Sequence, residues 1–475
     1  MNSILIGLIL YLAVVLIIGL VSAGKNRTQA DFLIADRKLG AWAIALSERA
    51  SGESAWLLIG LPGAALATGF LEIWAAVGCI LGIIFSWLYL AIPLRELAGT
   101  YDSMTLPDLI AGYFRDETNV LRITSSLIIT FFFTFYVAAQ FNAAGKVLNV
   151  TFGIPQFSGM LTGAGIILLY TILGGFRAVV WTDMVQALIM IATLIILPVV
   201  GVVELLQNGG AGEICPEALS LTAGKTGFWA FLAVLNGLSW GFGYSGQPHL
   251  LARFIAIRDV GELKRGRGVA FSWAIPAFFG GFFMGIIGLA LYGTGHFEDP
   301  EFIMPFMAST LLPGWIAGIL ISGAMAAMMS TADSQLLVTA SAISEDLIHK
   351  AGKRNLSPAS LLSVSRIVTT LVGVFAFGLA YFSTDLVFSL VSYAWSGLGA
   401  SFGPLLLCII YWKKVTRKGA LAGLLTGSVT TIIWKNLPVF NNVVTERLSS
   451  YGFAFLAIMI VSLMTQKRQM PSFQS

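Results

Sequence analysis

Three ionisable side chains stand close together inside an otherwise apolar stretch of the sequence. The segment ALSERASGESAWLLIG, residues 45–60, contains Glu48, Arg49 and Glu53, and its flanks are apolar. Ionisable residues within a membrane-spanning segment usually serve an ion or substrate pathway. The serines and glycine at 51–54 allow the helix to break, so that polar atoms face a cavity rather than lipid. The alternative is a kinked helix in which Arg49 and Glu53, four residues apart, merely pair.

A second polar stretch offers hydroxyl groups that could bind a hard cation. SGAMAAMMSTADSQLLVTASAISED contains Ala327, Ser330, Thr331 and Ser334 at i, i+3, i+4 and i+7, which places them on one face of a helix. Together with carbonyls freed by a broken helix, these hydroxyls form a neutral oxygen shell that suits sodium. The alternative is that the small residues simply let two helices pack closely.

These residues need a helical scaffold within a lipid bilayer, and the composition indicates one. The chain has 475 residues, of which 57% are hydrophobic and 11% are charged, and its mean hydropathy is +0.85. A spanning helix needs about 20 apolar residues, and the sequence predicts an all-α membrane protein with about thirteen of them. The predicted spans are 3–23, 41–69, 70–97, 120–148, 156–176, 180–206, 228–252, 267–294, 314–347, 360–382, 384–412, 418–436 and 451–466.

Other classes of protein fit the sequence poorly. The net charge of +4, with Lys and Arg in short clusters, provides no basic face for nucleic acid. Cys79, Cys215, Cys408 and the three histidines lack metal-ligand or redox spacing. GFGYSG, residues 241–246, matches a dinucleotide-binding pattern but lies between apolar helices instead of following a strand. A channel would need charged or carbonyl rings, and a sensor or an enzyme would need a soluble domain larger than the tail TQKRQMPSFQS.

The distribution of basic residues predicts how the chain is oriented in the plasma membrane. Cytoplasmic loops carry an excess of Lys and Arg. With the N-terminus outside, only Lys146, Lys225, Lys435 and Arg447 of the 28 Lys and Arg residues fall on the outer side, and Arg49 lies within a span. The sequence therefore predicts a multi-pass protein of the plasma membrane, a bacterial inner membrane, with the C-terminus in the cytoplasm.

Two of the predicted spans are interrupted, and their spacing indicates an internal repeat. SERASGES breaks the second span and GLSWGFGYSGQPH breaks the seventh. We predict that residues 1–475 form one transmembrane domain, with an extra N-terminal helix at 3–23, five-helix halves at 41–206 and 228–412, and two C-terminal helices at 418–466. In an inverted repeat, substrate and ions bind at unwound backbone near the bilayer midplane. Arg253, which follows the seventh span, is assigned to a cytoplasmic loop.

Five motifs resemble one family of membrane proteins. LLIGLPGAALATG, YTILGGFRAVVWTDMVQ, WGFGYSGQPHLLARF, MMSTADSQLL and VSYAWSGLGASFGP are similar to the solute:sodium symporters, and within them to the bacterial sodium/proline symporters. The resemblance covers nearly the whole chain. It implies the leucine-transporter-type inverted-repeat fold, no enzymatic activity, and alternating access in which Na+ drives the import of proline. Another small amino acid, a monocarboxylate or a pantothenate-like solute is the alternative substrate.

The resemblance also implies a sodium site that joins the two polar stretches. Its ligands would be backbone oxygens of Ala50, Glu53 and Ala327, together with the hydroxyls of Ser330 and Thr331. These positions coincide with those where the residues themselves indicate oxygen ligands.

A proline-like substrate would lie against aromatic side chains from the interrupted spans. The residues that the resemblance implies are Ser54, Trp56, Tyr136, Trp240, Tyr244 and Gln247. Aromatic faces suit an apolar ring, while phenol and indole groups can form hydrogen bonds with the charged ends of a zwitterion. Taken singly, each aromatic residue could instead belong to the core or face lipid.

The acidic residues depart from the pattern of the sodium/proline symporters. Where those proteins have SAGASDMSGW, this chain has SERASGESAW, so position 52 is Gly52 and the acid is Glu53. Asp183 matches an acidic position that the family uses near the cytoplasmic sodium route, and Asp333 and Ser334 follow the hydroxyl pair. Neighbouring carboxylates repel unless a cation or proton intervenes, so we predict a second cation or proton site at these three residues. The alternative is that Asp333 pairs with a Lys or Arg from another helix.

Overall fold

The computed structural model describes residues 2–23, 37–210, 214–354, 356–383 and 385–466, and these residues are almost entirely helical. They form thirteen long helical segments that correspond one to one with the predicted spans. The segments are α1 Asn2–Ala23, α2 41–68, α3 73–100, α4 Val120–Phe152, α5 156–174, α6 Gly175–Asn208, α7 227–256, α8 Val260–Tyr292, α9 Gly314–Ala351, α10 Pro358–Phe382, α11 Val387–Trp412, α12 Arg417–Lys435 and α13 Glu446–Thr465.

Length and apolar composition account for most of these segments. Eight helices of the described residues could cross a membrane on those two criteria, and one of them, Ala41–Thr100, contains both α2 and α3. The other segments are shorter or interrupted. α7, for example, consists of Gly227–Leu238, a 3-10 turn at Ser239–Gly246 and Pro248–Ala256.

The central helix is α9, which is buried along most of its length. α1, α2, α4 and α6 all pack against it. Glycines permit the closest of these contacts, because a Cβ on Gly7 of α1 would lie 2.8 Å from the main chain of Gly318 in α9. Lipid tails provide no hydrophobic force between helices, so small residues and close backbone packing replace it.

Two predicted helix starts are wrong because polar first turns were assigned to loops. α8 begins at Val260 and not at 267, since the carboxylate of Asp259 caps it by accepting the N–H of Glu262 at 2.9 Å. α13 begins at Glu446 and not at 451, and its first turn includes the buried side chain of Arg447.

A third correction concerns Arg253, which was assigned to a loop. The second part of α7 continues to Ala256, so Arg253 lies within the helix, and its side chain is fully buried. A buried guanidinium requires partners, and these are described below. The basic residues Lys25, Arg27, Lys467 and Arg468, which support the predicted orientation, lie outside the described residues.

Candidate functional site

The helix α2 breaks at Ser54. This residue has φ 52° and ψ −174°, a conformation that does not belong to a helix and that favours glycine over other residues. Nearby side chains satisfy the backbone groups that the break releases: Ser54 Oγ accepts the N–H of Trp56 at 3.1 Å, and Gln140 Oε1 of α4 accepts the N–H of Ala55 at 3.0 Å. The break predicted from the serines and glycine is therefore present, and it is stabilised by hydrogen bonds.

The three ionisable residues of α2 form a buried network. Arg49 binds the Glu48 carboxylate through Nε at 2.6 Å and also through Nη2, and its Nη1 lies 2.5 Å from Glu53 Oε1. Trp87 donates to Glu48 Oε2 at 3.0 Å, and Tyr244 donates to Glu53 Oε2 at 2.9 Å. The pairing of Arg49 with Glu53 thus exists together with the helix break, rather than as an alternative to it.

The break in α7 brings its backbone close to α3 and α11. A Cβ on Gly241 would lie 2.3 Å from the Gly78 carbonyl oxygen, and one on Gly243 would overlap the Trp395 ring. Trp395 Nε1 in turn donates to the Trp240 carbonyl at 3.0 Å. The glycines of GFGYSG therefore serve close packing, and a larger residue at either position would push these helices apart.

A small cavity lies between the two breaks. Its volume is about 10 Å³, room for about one water molecule, so the side chains that line it are closely packed. Trp56 and Trp240 meet there with ring centroids 4.4 Å apart, and Tyr244 packs edge-on against Trp395 at 4.7 Å. The cavity is lined by Gly52, Glu53, Trp56, Cys79, Tyr136, Trp240, Tyr244, Val391 and Trp395.

Four of the residues expected to bind substrate line this cavity, and two do not. Trp56, Tyr136, Trp240 and Tyr244 are all lining residues. Ser54 supports the break and lies 3.5 Å from the Tyr136 hydroxyl, and Gln247 donates to the Trp395 carbonyl at 3.0 Å. The lining side chains that the sequence did not single out for the substrate are Glu53, Cys79, Val391 and Trp395.

Most residues expected to bind sodium meet where α2 contacts α9. Ser330 Oγ lies 3.0 Å from the Ala50 carbonyl oxygen and 3.1 Å from that of Ala327. Thr331 Oγ1 donates to the carbonyl of Ser51, the residue next to Ala50, at 3.0 Å. These contacts gather hydroxyl and carbonyl oxygens from a broken helix, the donor set that sodium prefers in such folds. The Glu53 carbonyl instead accepts the N–H of Trp56.

Arg253 joins α7 to three other helices beside this set of oxygens. Its Nη2 lies 3.0 Å from Asp183 Oδ2, 2.7 Å from Ser334 Oγ and 2.6 Å from Ser51 Oγ. Its Nε lies 3.0 Å from Ser47 Oγ, and all of these side chains are buried. Asp183 and Ser334 thus both contact the guanidinium of Arg253, which was predicted from the sequence to lie in a loop. The sequence signal for its helical position was that Arg253 lies only five residues after Pro248, where the helix begins.

The remaining expected residue, Asp333, lies on the same part of α9. Its Oδ1 accepts a hydrogen bond from Ser334 Oγ at 3.1 Å. The second oxygen of Asp183, Oδ1, is buried and has no hydrogen-bond partner among the described residues. A buried acceptor without a donor is costly, so Asp183 retains capacity for a further ligand.

Comparison with known sequences gives one consistent family. Residues 32–427 match the model of the Sodium:solute symporter family. The chain is 38% identical over 459 residues to the high-affinity proline transporter PutP of Bacillus subtilis (strain 168), covering 95% of this chain and 96% of that protein. It is 36% identical over 461 residues to the sodium/proline symporter of Escherichia coli (strain K12), covering 96% of this chain and 91% of that protein.

Solved structures share the fold at low sequence identity. A Na+-coupled sialic acid symporter in a substrate-bound outward-open state superposes with a TM-score of 0.80 at 18% identity, over 98% of each chain. MhsT in complex with L-phenylalanine gives 0.54 at 13% identity, over 90% of this chain and 99% of that one. The predicted leucine-transporter-type architecture is thereby confirmed.

Proposed function

This chain belongs to the sodium:solute symporter family, and we propose that it imports L-proline together with Na+ by alternating access. Members of the family are transporters, so the chain is a multi-pass membrane transporter and not an enzyme. The observation that carries the proposal is the aromatic cavity between two broken helices, with hydroxyl and carbonyl oxygens gathered at one of them. The relatives named for proline cover nearly the full length of the chain, which supports proline over the alternative solutes.

The proposed substrate site combines the lining residues with the two breaks. The rings of Trp56 and Trp240 would contact the apolar part of proline, and Tyr136 and Tyr244 would close the remaining sides. Ser54 and Gln247 would hold the two broken backbones in place. Unwound backbone at mid-membrane is stable only where it lines a cavity or is buried in protein, and this arrangement meets that condition.

The proposed sodium site consists of Ala50, Glu53, Ala327, Ser330 and Thr331. Carbonyl oxygens would come from the first three residues and hydroxyl oxygens from the last two. The contacts between Ser330 and the carbonyls of Ala50 and Ala327 support this set. Because the ligands come from both α2 and α9, sodium binding there would hold the two helices together while substrate occupies the adjacent break.

We also propose a second cation or proton site at Asp183, Asp333 and Ser334. The unpartnered Oδ1 of Asp183 supports it, since this oxygen can accept another ligand while Oδ2 binds Arg253. Ser334 bridges the two acids through its contacts with Arg253 and Asp333.

We also propose the boundaries of the two repeats and the orientation of the chain in the membrane. The halves at 41–206 and 228–412 each begin with a broken helix, and the N-terminus would lie outside the plasma membrane with the C-terminus in the cytoplasm. This orientation follows from the excess of Lys and Arg on alternate loops.

The decisive test of function is uptake by the purified protein. In proteoliposomes, an inward sodium gradient should drive the accumulation of radiolabelled L-proline, and a potassium gradient of the same size should not. The control is protein-free liposomes. Sodium-driven uptake of a monocarboxylate without any uptake of proline would contradict the proposed substrate.

Replacing Tyr244 by alanine should weaken the apparent affinity for proline more than that for sodium. Truncating a buried aromatic ring costs about 1–3 kcal/mol, which corresponds to about tenfold to about hundredfold in affinity. Concentration dependence of uptake would measure both affinities. Phe242→Ala is the matched control, because Phe242 lies in the same turn but stacks on Tyr451 and is 41% exposed. An unchanged proline affinity in Tyr244→Ala would place the binding site elsewhere.

Asp333→Asn should reveal the second site through the stoichiometry of transport. We expect wild-type flux ratios above one sodium per proline, or else an uptake that depends on pH, and loss of that property in the variant. Dual labelling with radioactive sodium and proline would measure it. Asp385→Asn, which neutralises an exposed carboxylate, serves as the control. If both proteins transport one sodium per proline and their uptake does not depend on pH, the second site is contradicted.

A further inference from the structure

The buried network of α2 carries an unbalanced negative charge. Two carboxylates, Glu48 and Glu53, face one guanidinium, Arg49, and each of the three side chains is at most 1% exposed. Within the described residues, Arg49 is the only cation in salt-bridge contact with either carboxylate. A net charge buried in the membrane is expensive unless another group of opposite sign approaches it.

The unbalanced charge resides at Glu53 rather than at Glu48. Arg49 binds Glu48 with two nitrogens and Glu53 with one, and Glu48 also accepts the Trp87 N–H. A carboxylate offers about four lone-pair positions. At Glu53 the Arg49 and Tyr244 bonds use two of them, so acceptor capacity remains.

Glu53 is also the acid that reaches the cavity. It lines the same space as Trp56, Trp240 and Tyr244. The other buried arginines nearby have other partners: Arg253 pairs with Asp183, and Arg447 lies over the Trp240 ring, 4.4 Å from its centroid, and beside Glu446. A positive group that enters the cavity would therefore meet Glu53 as its nearest available counter-charge.

A polar atom of another lining residue lacks a hydrogen-bond partner among the described residues. Trp56 Nε1 is buried and has no hydrogen-bond acceptor among the described residues. A buried indole N–H normally finds an acceptor. The cavity lining thus offers an anionic acceptor at Glu53 and an unused donor at Trp56, a pair that matches the two ends of a zwitterion.

We propose that the Glu53 carboxylate binds the ammonium group of the substrate, with the Trp56 N–H directed to the substrate carboxylate. This inference rests on the proposed import of proline and assigns its amino group a specific partner. It makes Glu53 the residue that selects amino acids over monocarboxylates of the same size. The substrate ammonium also supplies the charge that the network lacks, so substrate binding and charge balance are achieved together.

The test compares two ligands that differ only at the amino position. L-Proline and (S)-tetrahydrofuran-2-carboxylate, in which an ether oxygen replaces the ring ammonium, would compete with radiolabelled proline for purified protein in saturating sodium. A site built around a polar group rejects an analogue that lacks it, so the wild type should prefer proline by at least about 100-fold. In Glu53→Gln we expect the preference to fall below about tenfold, because the amide is neutral.

The matched control is Glu345→Gln, which removes a buried carboxylate of α9 that pairs with Lys350 and does not line the cavity. It should retain the wild-type preference. Glu53→Asp keeps the charge and should still prefer proline, which covers the case in which Glu53→Gln fails to fold. A Glu53→Gln protein with the wild-type preference, or a Glu53→Asp protein that binds both ligands equally, would overturn the proposal.

The outcomes also separate this inference from the proposed function. A wild-type protein that transports proline while Glu53→Gln retains full selectivity overturns the ammonium contact alone. A sodium requirement raised more than about tenfold in Glu53→Gln, with unchanged selectivity, would mean that the carboxylate holds sodium instead, and this also overturns it. A wild-type protein that binds no proline in saturating sodium overturns both.

Discussion

Replacing both Ser330 and Thr331 by alanine is expected to raise the sodium concentration for half-maximal proline uptake by at least about tenfold. The two hydroxyls contact the carbonyls of Ala50, Ser51 and Ala327, where α2 meets α9. A hydrogen bond or ligand contact with a charged group contributes about 1.5–3 kcal/mol, and about 1.4 kcal/mol corresponds to tenfold in affinity. Uptake measured over a range of sodium concentrations, at fixed proline, reports the change.

The matched control replaces two other hydroxyls of α9. Ser322 and Thr339 are buried, but they donate to carbonyls of their own helix, Gly318 and Gln335, at 2.7 Å each. The Ser322→Ala/Thr339→Ala protein should keep the wild-type sodium dependence. If the Ser330→Ala/Thr331→Ala protein is folded and its sodium dependence is also unchanged, the ion binds at another place.

Arg253→Met is expected to abolish uptake and to lower thermal stability strongly. The side chain of Arg253 is fully buried and bridges Asp183 to serines of α2 and α9. Removing one partner of a buried ion pair costs about 3–5 kcal/mol, because the remaining charge is left unpaired. Thermal unfolding of the purified protein in detergent would measure the loss of stability.

A second substitution should separate charge pairing from other roles of Arg253. Asp183→Asn in the Arg253→Met background removes the unpaired carboxylate, so stability should recover in part while uptake remains low. Arg265→Met is the control, since that side chain is 77% exposed and pairs with Glu262 in the first turns of α8. Equal stability of wild-type and Arg253→Met proteins would show that the bridge contributes little.

The sequence predicted the fold well because the apolar length that identifies a membrane segment depends only on the local sequence. Apolar length identifies thirteen spans, and the serines and glycines of SERASGES and GFGYSG indicate where two of them break. The predicted starts of α8 and α13 were wrong because their first turns are polar and lie beyond the apolar core of the helix, as the Asp259 cap of α8 illustrates.

Three of the expected substrate residues that line the cavity, Trp56, Trp240 and Tyr244, lie next to a break. The fourth, Tyr136, lies in the unbroken α4 and was expected only from the family resemblance. Trp395 was missed because it reaches the site through the close approach of α11 to Gly243, a contact that no local pattern reveals.

Arg253 was missed for a related reason. A charged residue near the end of an apolar segment resembles a loop residue until its partners are known, and those partners come from α2, α6 and α9. The acidic group of the cavity, by contrast, could be located from sequence, since Glu53 directly precedes the break. Its pairing with Arg49 follows from their spacing of four residues, but its contact with Tyr244 could not be predicted, because Tyr244 lies in the other half of the chain.

The ion pairs of α2 bear on how the protein enters its membrane during synthesis. Each Arg or acidic residue at the centre of a helix costs about 2.5–3.5 kcal/mol on insertion scales. Arg49 finds both of its acidic partners within its own helix, at the adjacent position and one turn away. The nascent segment can therefore neutralise two of its three charges as soon as it forms a helix, before any later span has left the ribosome. Glu53 receives its hydrogen bond from Tyr244 only once α7 has been made, so the later half of the chain completes a helix that the earlier half inserted.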